Sequence, residues 1–142
     1  AVLGIAVDGN ADLRNAVLSN AVLRYADLRK IAPYFRIVPE KGSFIAWKKG
    51  ANGCIIELEI PADAKRHNHI GGRKCRAEFV KVVDIRNAKG HKVKSCFNGT
   101  HTQRIEYKTG EIVRADNYDP DPRVDCSGGI HFFLTRQEAK DW

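Results

Sequence analysis

Residues 1 to 30 read AVLGI AVDGN ADLRN AVLSN AVLRY ADLRK. Set in fives, alanine holds the first place of every group (Ala1, Ala6, Ala11, Ala16, Ala21, Ala26), and leucine holds the third place of all but one (Leu3, Leu13, Leu18, Leu23, Leu28). A five-residue period is not a helical stripe, because at about 100° per residue successive leucines would stand about 140° apart. It is not simple strand alternation either, since an odd step turns the side chain to the other face each time. A square coil satisfies it. Each group of five forms one side, four sides make a turn, and the central leucine and the alanine two places before it both point inward. The first position must be small because the interior of such a coil is narrow.

This pattern resembles the pentapeptide-repeat family, with its A-(D/N)-L-x-x consensus. The resemblance implies a right-handed quadrilateral β-helix over residues 1–30. Six groups make only one and a half coils, and solenoids need stacked neighbours and capped ends. The following domain can cap one end. The other begins in register at Ala1, which predicts a homodimer or higher assembly through the stub, or further coils upstream. Some members of the family mimic duplex DNA, but those are long and acidic. Arg14, Arg24, Arg29 and Lys30 on outward positions argue against that role here.

The 142 residues allow one ordinary domain or a domain with a small appendage. Apolar residues at 43% and charged residues at 29% exclude a disordered chain. No apolar run approaches the roughly 20 residues of a membrane span. The apolar start is interrupted at Asp8, too early for a signal peptide. A cytoplasmic location is therefore expected. The net charge of +7 favours anionic partners, unless it serves only solubility. Cys54, Cys75, Cys96 and Cys126 form no C-x-x-C pair, so reduced thiols are expected. Cys75, Cys96, Cys126 and His131 could in principle make a zinc site, but no local spacing supports it, and no metal or cofactor is assigned.

Ala32-Pro33 ends the repeat and Pro39 marks a connection, which divides the chain into a stub (1–30), a linker (31–41) and a basic domain (42–142). Within the domain, 44–48, 54–60, 77–85, 93–97 and 130–134 read as strands. In 54–60, Ile56, Leu58 and Ile60 share one face and Glu57 and Glu59 the other. Segments 104–107 and 111–115 flank Thr109-Gly110 and read as a hairpin. Thr135 to Glu138 fits a capping box, which predicts a short terminal helix. The expected fold class is α+β, with a mainly antiparallel curved sheet.

The segment from Pro61 to Arg76 carries the main functional expectation. Between Asp63 and Glu78 there is no acid, but there are Lys65, Arg66, Arg73, Lys74 and Arg76, two histidines, and Gly71-Gly72. Consecutive glycines can aim backbone N–H groups at an anion, and arginine adds paired donors for phosphate. The alternative is a solvated basic loop. It is not a Walker A loop, since G-x-x-x-x-G-K-[ST] is absent. Near the end, CSGGIHFFLTRQEA (126–139) places one polar residue, His131, on an otherwise apolar strand, as a structural histidine or a ligand contact. The loop from Asp116 to Asp125 is acidic and proline-containing, and reads as a solvated surface segment.

GSFIAWKK (42–49), IIELEIPADAKR (55–66), GRKCRA (72–77) and the 126–139 segment together resemble an uncharacterised domain found after pentapeptide repeats in phage and bacterial proteins. That resemblance implies a phage or mobile-element context and brings no activity with it. GGIHFF is also similar to the Gly-Ile-Tyr-Phe segment of ADP-ribosyltransferases, where the tyrosine lines the nicotinamide pocket. His131 stands in its place, and no following strand offers a catalytic glutamate, since Glu138 falls on the expected helix. No H-E-x-x-H, G-x-S-x-G or kinase motif is present, and no catalytic residue is assigned. The leading expectation is a non-enzymatic module that binds a phosphorylated small ligand, nucleotide or NAD-like. Lys65, Arg66, Gly71, Gly72, Arg73, Lys74, Arg76 and His131 are its candidate contacts. The other readings are a nucleic-acid-binding accessory protein, an ADP-ribosyltransferase-like enzyme, and a protein-interaction or assembly module.

Overall fold

Strand β2 (Ile55–Ile60) is the organising element. Its alternation buries Ile56, Leu58 and Ile60 completely and leaves Glu57 and Glu59 half-exposed on the other face. The computed structural model describes residues 33–99 and 103–142. The repeat stub, with the β-helix and the assembly expected of it, therefore lies outside the described residues.

In chain order the other elements are β1 (Phe44–Lys49), β3 (Arg66–Asn68), β4 (Cys75–Ala77), β5 (Phe79–Arg86), β6 (Ser95–Phe97), β7 (Glu106–Lys108), β8 (Ile112–Arg114), β9 (Ile130–Phe132) and helix α1 (Arg136–Asp141). Among the described residues all strand pairings are antiparallel. One sheet runs β1-β2-β5-β8, a second β3-β4-β9, and β6 pairs with β7. The α+β expectation with a terminal helix holds. Among the described residues no helix is long and apolar enough to cross a membrane.

The main core lies on one face of the first sheet, where Ala46, Ile56, Leu58, Ile60, Val80, Val82 and Ile85 meet Phe132, Ile130 and Tyr107. Val82 and Ile85 are three apart, so one face could not hold both in a regular strand. A bulge opposite Glu57 and Leu58 inserts a residue, which turns Val83 outward and brings Ile85 in.

Two local expectations are corrected. The strand expected over 77–85 is two strands, because the chain changes sheets at Glu78. Its N–H donates to Lys65 O and its carbonyl accepts from Ala115 N. The hairpin expected over 104–115 does not form. The Thr109-Gly110 turn is present, with Glu111 N donating to Lys108 O and Gly110 at φ +89°. It is a corner between layers, with β7 pairing with β6 and β8 joining β5.

The segment before β1 is tied down. Val38 is buried, Ile37 N donates to Asn68 Oδ1, and Asn68 Nδ2 donates to Phe35 O. At the other end, Thr135 Oγ1 accepts from Glu138 N at 3.2 Å and donates to Glu138 Oε1 at 3.0 Å, closing the start of α1.

Candidate functional site

The 61–76 segment is a β-hairpin. Arg66 and Arg76 stand on its paired strands β3 and β4, and Gly71-Gly72 lie at its tip. Arg66 is engaged with main-chain oxygens. Its Nε donates to Ala64 O, Nη2 to Pro61 O at 2.6 Å, and Nη1 to Gly42 O at 2.8 Å. Arg76 is buried. Nε donates to Asp119 O, Nη1 to Val124 O and Asp125 O, and Nη2 to Asp121 O. The acidic loop therefore wraps its carbonyls around a guanidinium, where the sequence had suggested a loosely solvated segment. A guanidinium cannot lose its charge, and the carbonyls replace the water it gives up.

Arg73 makes a two-point ion pair with Glu138, Nη2 to Oε1 at 2.8 Å and Nε to Oε2 at 3.2 Å. Gly71 adopts φ +78°, but the Gly72 N–H donates back to His69 O inside the turn. Lys65 is exposed beside β3. The eight candidate residues do not share one cavity: Gly72, Arg73 and Lys74 line an open one that also carries Asp125, Glu138 and Asp141, and Lys74 and His131 line another.

That cavity has a volume of about 420 Å³. Lys48 and Lys49 at the end of β1, the turn from Gly50 to Gly53, Lys74, His131, Phe133 and Trp142 line it, and among the described residues no carboxylate does. Phe133 and Trp47 exchange main-chain hydrogen bonds, which sets β9 beside β1. The turn narrows by left-handed residues, Asn52 at φ 55° and Gly53 at φ 75°. Lys74 Nζ stands 4.8 Å from the Trp142 ring centre and 3.9 Å from Asp125 Oδ1. A second cavity of about 310 Å³ lies behind Lys48 and His131 and reaches Tyr107, Asp116 and Asn117.

The charges that act on Lys48 and His131 are cationic. Burial, and then Lys74, hold the Lys48 ammonium down to about 8. Burial, followed by Lys74 and Lys48, pushes His131 down to about 4, so its ring is neutral at physiological pH. Its Nε2 lies 2.9 Å from Ser127 O, which can only accept, so that nitrogen carries the proton. On the same sheet, His67 contacts Tyr118 Oη through Nδ1, while its Nε2 is buried without a hydrogen-bond partner. Glu138 does not line the cavity. The four thiols are free, and among the described residues no cluster of histidines, cysteines and carboxylates could hold a metal.

Lys48 was not among the sequence candidates. The signal that finds it is the parity of FIAWKK, since Phe44, Ala46 and Lys48 face Ile60, Leu58 and Ile56. Parity puts Lys48 in a half-buried place only once β2 is set beside it.

A small antiparallel α+β domain with a basic, carboxylate-free cavity, carried behind five-residue repeats, is the class of protein that sequence and fold define. The chain belongs to the family of unknown function DUF5758, whose model matches residues 34–139. The model for pentapeptide repeats matches residues 9–31. No curated protein and no solved structure matches the chain.

Proposed function

We propose that this domain is a non-enzymatic binding module for a phosphorylated small ligand, of nucleotide or NAD-like chemistry, in an accessory protein of phage or mobile-element type acting in the bacterial cytoplasm. The observation that carries the reading is the cavity, where three lysines and, among the described residues, no carboxylate surround a space walled by Phe133 and Trp142. Its size suits a small ligand. Phosphate would be held by Lys49 and Lys74 and a planar ring by the aromatic wall, while the arginines of the hairpin hold the frame. The basic segment would thus contribute through Lys74, which follows the tip, and not through the glycines themselves.

Calorimetry with ATP, NAD and ADP-ribose tests the reading, with a short DNA duplex as comparison. Lys74→Ala and Trp142→Ala should each weaken binding about tenfold or more, equal to about 1.4 kcal/mol. Unchanged affinity in both variants would overturn it. Duplex binding that falls steeply with salt, with no small-ligand binding, would instead favour a nucleic-acid-binding protein.

A further inference from the structure

Lys48 is a lysine in an apolar position. It stands in register with Ile56 on the face that also carries Ala46, Leu58 and Ile60, all of them fully buried. Burying an ammonium in such a place is costly unless a carboxylate or several acceptors replace its water. Among the described residues no carboxylate forms an ion pair with Lys48. The charge that lowers it further is another cation, Lys74. Nζ donates at 3.1 Å to His131 O, which aims the amine into the wall shared by the two cavities.

An amine that is desolvated, beside a second cation and facing a cavity is arranged as a nucleophile. The nearby Lys74 and Lys49 would hold an anionic group of the same ligand. Because burial lowers Lys48 to about 8, the free base is present at neutral pH, in roughly one molecule in ten.

We propose that Lys48 is a carbonyl-capturing amine, which condenses with the aldehyde of a phosphate-bearing ligand seated in the cavity. The inference rests on reading the cavity as an anion site. The Nζ lone pair adds to the carbonyl carbon, and the C=O π pair moves to oxygen, which takes a proton. The resulting carbinolamine loses that oxygen as water, with one proton from nitrogen and one from solvent, and a C=N bond remains. No oxidant or reductant is needed. The protonated imine carries the same charge as the ammonium it replaces, so Lys74 and the ligand phosphate keep their relation. Ligands of this kind include sugar phosphates and ADP-ribose-like molecules, whose ring-opened form is an aldehyde.

Pyridoxal 5′-phosphate, an anionic aromatic aldehyde, is the probe. The full chain is incubated with one equivalent, reduced with borohydride and mapped by peptide mass spectrometry. Binding of pyridoxine 5′-phosphate, which has an alcohol in place of the aldehyde, is measured in parallel by calorimetry. Lys48 should carry about tenfold more adduct than any other lysine. Lys48→Met should lose that adduct while still unfolding cooperatively. Adducts spread over the exposed lysines, or none on Lys48, would overturn the inference. If pyridoxine 5′-phosphate binds and Lys48 stays unmodified, the imine falls and the anion site stands. If benzaldehyde, a neutral aldehyde, is trapped on Lys48 while pyridoxine 5′-phosphate does not bind, the amine stands and the anion site falls.

Discussion

Lys48 Nζ and the main-chain oxygen of His131 are 3.1 Å apart, and this hydrogen bond joins the end of β1 to β9 across the wall between two cavities. It also holds a cation under a neutral imidazole. Lys74 lowers both groups, and Lys48 itself lowers His131. The cavity is thus built around a charge that the fold tolerates rather than uses for stability.

Lys48→Met should therefore stabilise the domain. The substitution keeps a long apolar stem and removes an ammonium held down to about 8. At neutral pH that ammonium costs the folded state up to about 3 kcal/mol, which the variant recovers in part. The gain should shrink as pH rises from about 8 to about 10.5, because there the folded protein releases the proton before the unfolded chain does. Urea melts at pH near 7 and near 10 measure both effects. A variant less stable at pH near 7 would show that the His131 contact outweighs desolvation.

Arg76→Met should be among the most damaging single substitutions. It leaves the carbonyls of Asp119, Asp121, Val124 and Asp125 without their shared donor. Losing one side of a buried charged network costs about 3–5 kcal/mol. Arg76→Lys should recover only a small part, since one ammonium cannot reach four carbonyls arranged around a planar fork. The expected signature is early protease cleavage within 119–125, together with a lowered urea midpoint. Cleavage elsewhere first would mean that the loop holds without the clamp.

How much was legible follows from what each signal encodes. The two-residue period of β2 was readable because Glu57 and Glu59 alternate with Ile56, Leu58 and Ile60, and Thr135 and Glu138 announced the start of α1. The hairpin over 104–115 was misread because a turn at Thr109-Gly110 is the same local event whether its strands pair or part. The basic segment showed its cations but not the carbonyls that meet them. Arg66 reaches Gly42 O besides its local carbonyls, and Arg76 reaches Asp119 O and Val124 O, contacts 24 to 48 residues apart that no local pattern contains. Strands β3 and β4 are three residues each and rich in charge, so they gave no alternation to read.

Acid should weaken the domain in a definite window. Burial first, and then Arg76, lowers His67 to about 4, and burial, Lys74 and Lys48 do the same for His131. The unfolded chain binds these protons near 6.5. As pH falls from about 6.5 to about 4 the unfolded state takes up more protons, so stability is lost across that interval and is insensitive to these two groups above it. Asp119, Asp121 and Glu138, all held below the usual carboxylate range by their hydrogen bonds, extend the loss to lower pH. Melting temperatures across the range should fall between about pH 6.5 and 4, and His131→Gln should flatten part of that slope. A wild-type profile level down to about pH 4 would mean that both rings take up protons in the folded state as readily as in the unfolded chain.

Gly50 and Gly128 test how tightly the cavity walls are packed. A Cβ at Gly50 would meet Cys96 Sγ, with Phe97 O at 2.9 Å and Ile56 Cδ1 at 3.3 Å. Gly50 has φ −102°, so its backbone suits any residue and the penalty is steric alone. Gly50→Ala should cost about 1–3 kcal/mol, the usual range for overpacking. Adding Cys96→Ala removes the nearest atom, so the double variant should be more stable than the sum of the two changes allows. At Gly128 the first obstacle is the Asn117 carbonyl, and no side-chain substitution removes it. Gly128→Ala should therefore cost more than Gly50→Ala and resist rescue. Additive effects at Gly50 and Cys96 would mean that the turn from Gly50 to Gly53 yields, and then the cavity mouth would be set by Lys49 and Trp142 rather than by the turn.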